Sequence, residues 1–282
     1  MRWQDLRRSK NVDDRRGRSA GGKVALGGIG VVIVVVLGLL TGQDPRELLS
    51  TIQDGQVLEQ TGTQPRGPRA DDQMADFVTA VLGSTEDVWG QIYANYNARY
   101  QPPALQIFDN ATRSACGGAS SATGPFYCPA DQKVYIDLSF CDDLRDRFKA
   151  PGEFAVAYVI AHEVGHHIQN LMGINQQVEA QRGRISQKDF NRLSVKQELQ
   201  ADFLAGVWAH HAQSMQNILE PGDLEAALTA ANAIGDDKLQ QQSQGYVVPD
   251  AFTHGTSQQR MYWFKRGYQT GDLNQGKFED IR

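Results

Sequence analysis

From Asp71 onward the apolar residues of this chain return at every third or fourth position. Met74, Phe77, Val78, Val81 and Leu82 fall on one face of a helix. Asp71 or Asp72, just upstream, supplies a carboxylate for the open amides of its first turn. The same period predicts helices over 141–148, 152–172 (stopped by Gly173), and near 176–190, 194–214, 222–240 and 255–270. Two stretches break it. "PALQIFDN" and "KVYIDLSF" carry alternating or β-branched apolar residues bounded by Pro, Asn and Gly, which predicts strands. A few strands early and helices after them, with no internal repeat, make an α+β domain, mainly helical with a small β-sheet, over 71–282.

One run obeys neither period. Between Lys23 and Asp44 lie the 20 uncharged residues "VALGGIGVVIVVVLGLLTGQ". About 20 apolar residues at helical rise span the hydrocarbon layer. Residues 31–40 are apolar all round, unlike a core helix with a polar face, and no Ala-x-Ala site follows to mark a cleaved signal peptide. The expectation is one transmembrane helix at 24–43, after a basic segment at 1–23 and before a polar, turn-rich linker at 44–70. "DPRELLSTIQDGQ" within that linker has the composition of a short helix. Basic residues before the run and acidic, proline-bearing sequence after it predict a cytoplasmic N-terminus and an extracytoplasmic domain.

Charge sharpens this division. Residues 1–23 hold eight basic residues against three acidic ones, leaving 20 basic against 30 acidic in the remainder. That balance excludes nucleic acid as a partner, because phosphates need a basic face. Cys116 and Cys128 bracket "CGGASSATGPFYC", a loop that a disulfide can close in an oxidising compartment. Closure would stabilise the fold by about 3 kcal/mol in the chain-entropy model. Cys141 is left over and reads as a buried thiol; the wide spacings, with no histidine nearby, do not suit a zinc knuckle.

The chemistry concentrates in "AYVIAHEVGHHIQN". His162 and His166 are four apart, so on a helix their rings stand on one face and can reach one Zn²⁺. Glu163 lies one step around, close enough to take a proton from water without binding metal, in the H-E-x-x-H pattern. A catalytic zinc takes three protein ligands and a water. Gln169 and Met172 stand where a glycine and a third histidine would follow in the metzincin arrangement, so the third ligand must come from elsewhere. "KQELQADFLAG" offers Glu198 and Asp202, again four apart. An exposed acidic face is their ordinary fate, but Phe203, Leu204, Val207 and Trp208 surround them here. Glu198 would complete a His₂Glu set for one Zn²⁺ per chain, with Asp202 accepting a hydrogen bond from a ligand histidine.

H-E-x-x-H followed some thirty residues later by E-x-x-A-D resembles the gluzincin arrangement shared by thermolysin and the HtpX-type membrane peptidases. The whole chain resembles the bacterial neutral zinc metallopeptidases (YpfJ-like), through "MRWQDLRRSKNVDDRRG", "GPFYCPADQKVYIDLSF", "AYVIAHEVGHHIQN", "ELQADFLAGVWA" and "HGTSQQRMYWFKRGY". The resemblance implies a zincin-like metallopeptidase at the bacterial plasma membrane acting on peptide or protein substrates. In similar peptidases a late histidine, with an arginine following, stabilises the oxyanion; His254 and Arg260 match those positions, a surface or capping histidine being the alternative. His167 reads as a bystander behind the ligands or at the surface, and His210 and His211 as partners of a helix end. Tyr127 and Tyr135 are expected to pack or line the cleft, and "KVYID", as an edge strand, to pair with an extended substrate. Two rival readings stand beside the peptidase: a membrane scaffold with a structural zinc, and a zinc amidase acting on cell-wall peptides.

Overall fold

A computed structural model of the chain describes residues 1–17 and 72–281. The apolar run at 24–43 and the linker at 44–70 lie outside the described residues. Among the described residues no helix is long and apolar enough to cross a membrane.

Helices dominate, and one of them is the core. The helix Glu153–Leu171 (α3) is apolar on almost every side, and Phe154, Ala157, Tyr158, Ile160, Ala161 and Val164 are all at most 1% exposed. Fully burying each large side chain is worth about 1.5–3 kcal/mol, so this helix has no face to spare for solvent. Around it pack α1 (Asp72–Asn95), α5 (Gln187–Gln216) and α6 (Asp223–Ala233), with α8 (Ser257–Thr270) laid along α5. Short helices α2 (Ser139–Asp146), α4 (Ile174–Glu179) and α7 (Asp236–Gln244) complete the set. Local chemistry sets the boundaries. Gly173 takes the left-handed conformation that ends α3, Ser186 caps α5 by accepting the Asp189 amide, and Thr256 and Gln259 form a capping box on α8.

Two expected helices divide. The one expected near 176–190 stops at Glu179 and turns until Ser186 restarts a helix at Gln187. The one expected over 222–240 breaks at Ile234 and Gly235, which frees Asp236 to bond the backbone of residues 253–255.

The main sheet has the order β1-β2-β6-β5: β1 (Val12–Asp14), β2 (Ala104–Phe108) and β6 (Lys133–Asp137) run parallel, and β5 (Phe126–Cys128) lies antiparallel at the edge. β3 (Ala111–Ser114) and β4 (Gly117–Ser120) form a separate antiparallel pair. "KVYID" is therefore an interior strand: β2 and β5 take both its edges, so it has no ladder to offer a substrate. The strand beside α3 with one side unpaired among the described residues is β5. Cys128 at its end is bonded to Cys116, and Cys141 is a free, buried thiol.

Residues 1–17 are part of the same body. Trp3 is 3% exposed and meets Phe77 of α1 edge-on at 5.4 Å, while β1 pairs with β2 in register Val12 to Leu105.

Candidate metal centre

His162 and His166 project from one face of α3 with their rings 4.8 Å apart. α5 crosses beside them at very short range. A Cβ placed on Gly165 would stand 2.9 Å from the carbonyl oxygen of Ala201, so the glycine inside "HEVGH" sets how near α5 can come. That approach brings Glu198 to both rings. Its Oε2 is 3.1 Å from His162 Nε2 and its Oε1 3.5 Å from His166 Nε2, and one donor atom from each of the three residues falls within 4.8 Å of the others.

Both imidazoles are aimed from behind. His162 Nδ1 lies 2.8 Å from Asp202 Oδ1, and His166 Nδ1 lies 2.9 Å from Gln169 Oε1. With Nδ1 as donor in each ring, both Nε2 lone pairs face the Glu198 carboxylate. Three electron-pair donors that converge in a partly buried wall repel unless a proton or a metal cation joins them. Two imidazole nitrogens and one carboxylate suit zinc, so the residues fit the metal. The electrostatics agree. Burial works against charge on His162, yet Asp202 and Glu198 carry its pKa up to about 10. Burial likewise opposes ionisation of Glu198, but His166 and His162 hold it well below the usual carboxylate range. The pocket favours positive charge beside an ionised Glu198, as a cation would supply.

The two supports differ in kind. Asp202 is fully buried and accepts from four donors: Tyr158 Oη at 2.5 Å, His162 Nδ1, Arg260 Nε at 2.8 Å and Arg260 Nη2 at 3.0 Å. Desolvation would raise its pKa, but Arg260 and His162 bring it down to about 2. Gln169 is neutral and belongs to a chain of amides. Its Nε2 donates to Gln197 O at 2.6 Å and Gln200 Oε1 at 3.1 Å, and Gln200 Nε2 donates to Gly276 O at 3.0 Å. Those bonds fix the amide so that its oxygen faces His166.

Glu163 is 8% exposed beside the ligands, and burial raises its pKa. His254 enters from the loop before α8, its side chain 42% exposed and within electrostatic reach of Glu198. Asp236 holds that loop: Oδ2 accepts the amides of Thr253, His254 and Gly255 at 2.7, 2.6 and 3.0 Å, and Oδ1 is 3.2 Å from His254 Nδ1.

This geometry meets a family pattern over nearly the whole chain: the family described as "Putative neutral zinc metallopeptidase" matches residues 1–278. The chain belongs to this family. It is 50% identical over 278 residues to "Uncharacterized protein YpfJ" of Escherichia coli (strain K12), covering 96% of each chain. It is 39% identical over 247 residues to "Uncharacterized protein Mb2605" of Mycobacterium bovis, covering 84% of this chain and 80% of that one. No solved structure matches it.

Within this zinc metallopeptidase family member the remaining candidates sort plainly. Arg260 does not face the cleft. It is 2% exposed and its guanidinium binds Asp202, so the arginine matched as the one following His254 supports Asp202. His167 is fully buried, joining Gln101 O at 2.7 Å to the Tyr127 hydroxyl at 3.0 Å and so tying α3 to β5. The Tyr135 hydroxyl donates to Asp131. His210 and His211 bond Tyr268 O and Gly271 O, at the end of α8. Asp236 and the Gln169–Gln200 pair escaped the sequence reading. The only trace of Asp236 was the "GDD" triplet inside a stretch that reads as one helix.

Proposed function

We propose that the chain is a zinc-dependent metallopeptidase, held at the bacterial plasma membrane by its apolar run, that hydrolyses peptide bonds. The observation that carries this reading is the convergence of His162 Nε2, His166 Nε2 and the Glu198 carboxylate, with Glu163 beside them. When bound, zinc supplies a Lewis acid that brings the pKa of a bound water toward about 7 and polarises the scissile carbonyl.

The protein's own groups do the rest. Glu163 accepts a proton as the water oxygen bonds to the carbonyl carbon, then delivers it to the amine nitrogen as the C–N bond breaks. Its burial makes it a stronger base than an exposed glutamate. His254, steadied by Asp236, donates to the oxyanion from the solvent side. β5 takes over the role first given to "KVYID", because its outer edge can add an extended substrate strand beside α3.

A purely structural zinc would leave Glu163 and the half-exposed His254 without a task. The deciding experiment uses the full chain in detergent. Zinc content is measured by mass spectrometry, and cleavage of casein and of muropeptides is compared between the native chain and Glu163→Gln. The expected result is one zinc in both proteins, and casein cleavage lower in the variant by about 10²–10⁴-fold. Equal activity with zinc bound refutes the mechanism, and cleavage of muropeptides alone favours the amidase.

A further inference from the structure

A chain that crosses a bilayer once leaves its two flanks on opposite sides of about 30 Å of hydrocarbon. Residues 1–17 and 72–281, the described residues before and after the apolar run at 24–43, are not arranged that way. Residues 1–17 are built into the domain formed by 72–281. The Arg2 amide donates to Ile218 O at 2.8 Å, the Leu105 amide donates to Asn11 O at 2.8 Å, and the indole of Trp3 donates to Glu153 at 2.9 Å. α1 is shaped for this segment: a Cβ on Gly83 would stand 2.1 Å from the carbonyl oxygen of Arg7, so only glycine admits the strap there.

Two of the basic residues that mark a cytoplasmic N-terminus by their charge, Arg7 and Arg8, have partners in the same domain. Arg8 grips Asp76 with two bonds, at 2.6 and 2.8 Å, and Arg7 lies 2.8 Å from Glu86 and 2.7 Å from Asp87. An orientation rule counts such residues as free charge held back by the membrane; here they neutralise the acidic face of α1.

We infer that residues 1–17 and the metal-bearing domain lie on the same side of the membrane at which the proposed function places the chain. This inference is independent of catalysis.

The test is cysteine accessibility in cells that make the full chain. Lys10→Cys and Lys277→Cys sit at exposed positions in the strap and in the domain. The native cysteines form a disulfide or are buried, so they serve as the unlabelled background. Each variant is treated with a membrane-impermeant maleimide before and after permeabilisation. The expected result is that both label alike, either both in intact cells or both only after permeabilisation, with the chain in the membrane fraction. Labelling of one in intact cells and protection of the other overturns the inference, as does recovery of the chain in the soluble fraction. Arg8→Cys with Asp76→Cys gives a second measure. A short bis-maleimide should join them within one chain in isolated membranes, and failure to join them overturns the docked arrangement.

Discussion

Asp236 holds His254 at two places, accepting its backbone amide at 2.6 Å and lying 3.2 Å from its ring Nδ1. Partial removal from water works against charge on His254, yet Asp236 and the nearby Glu198 raise its pKa above the ordinary histidine value. A raised pKa keeps the imidazolium, a better donor than the neutral ring, to higher pH. Peptidase activity should therefore fall as pH rises through the His254 pKa. Asp236→Asn removes the charge, and the alkaline limb of kcat should move to lower pH with little change in the acid limb. His254→Ala should lower kcat by about 10²–10³-fold with zinc content unchanged. A pH profile of fluorogenic peptide cleavage checks both.

Gln169 orients His166 as Asp202 orients His162, and groups behind a metal ligand are worth about 10–100-fold in metal affinity. Gln169→Ala should lose zinc affinity in that range, measured by competition with a chromophoric chelator. Gln200→Ala should lose less, because Gln169 keeps its bond to Gln197 O.

Gly165 faces Ala201 at the crossing of α3 and α5. Gly165→Ala forces the helices apart, and overpacking of this kind costs about 1–3 kcal/mol. Urea unfolding of the metal-free protein should show that loss. Zinc affinity should fall as well, because Glu198 retreats with α5.

Arg260 and Asp202 form a buried ion pair, their side chains 3% and 0% exposed. Arg260→Met leaves Asp202 charged and short of its main partner, at a cost of about 3–5 kcal/mol. The variant should therefore fail chiefly in thermal stability. A variant as stable as the native chain, with lowered kcat alone, would put Arg260 back in the cleft.

The residues that converge at the candidate centre were legible in sequence because helical periodicity is local. "HEVGH" and "ELQAD" each fix two residues one turn apart, and Asp202 sits among apolar neighbours that demand a partner. What remained hidden depends on contacts far along the chain. Asp236 bonds residues 17 to 19 positions away, and Gln200 reaches Gly276 across 76. Such pairings leave no period to read. β1 is a three-residue "VDD" without alternation, a strand only because β2 lies beside it. Arg260 was matched only as the arginine after His254, and it is the packing of α8 on α5 that turns it onto Asp202. "KVYID" was recognised as a strand, but neighbours on both sides cannot be seen from within one strand.

The amide chain from His166 ends on the carbonyl of Gly276, and the Asp202 charge is answered by Arg260. Domains fold during synthesis from the N-terminal side. α3 and α5 therefore emerge from the ribosome carrying His162, His166 and Glu198 with Gln169 and Asp202 behind them, before Arg260 and Gly276 have followed. The candidate metal centre is completed last, after residue 276 has emerged, so a nascent chain carries both motifs before the contacts that fix their orientation exist.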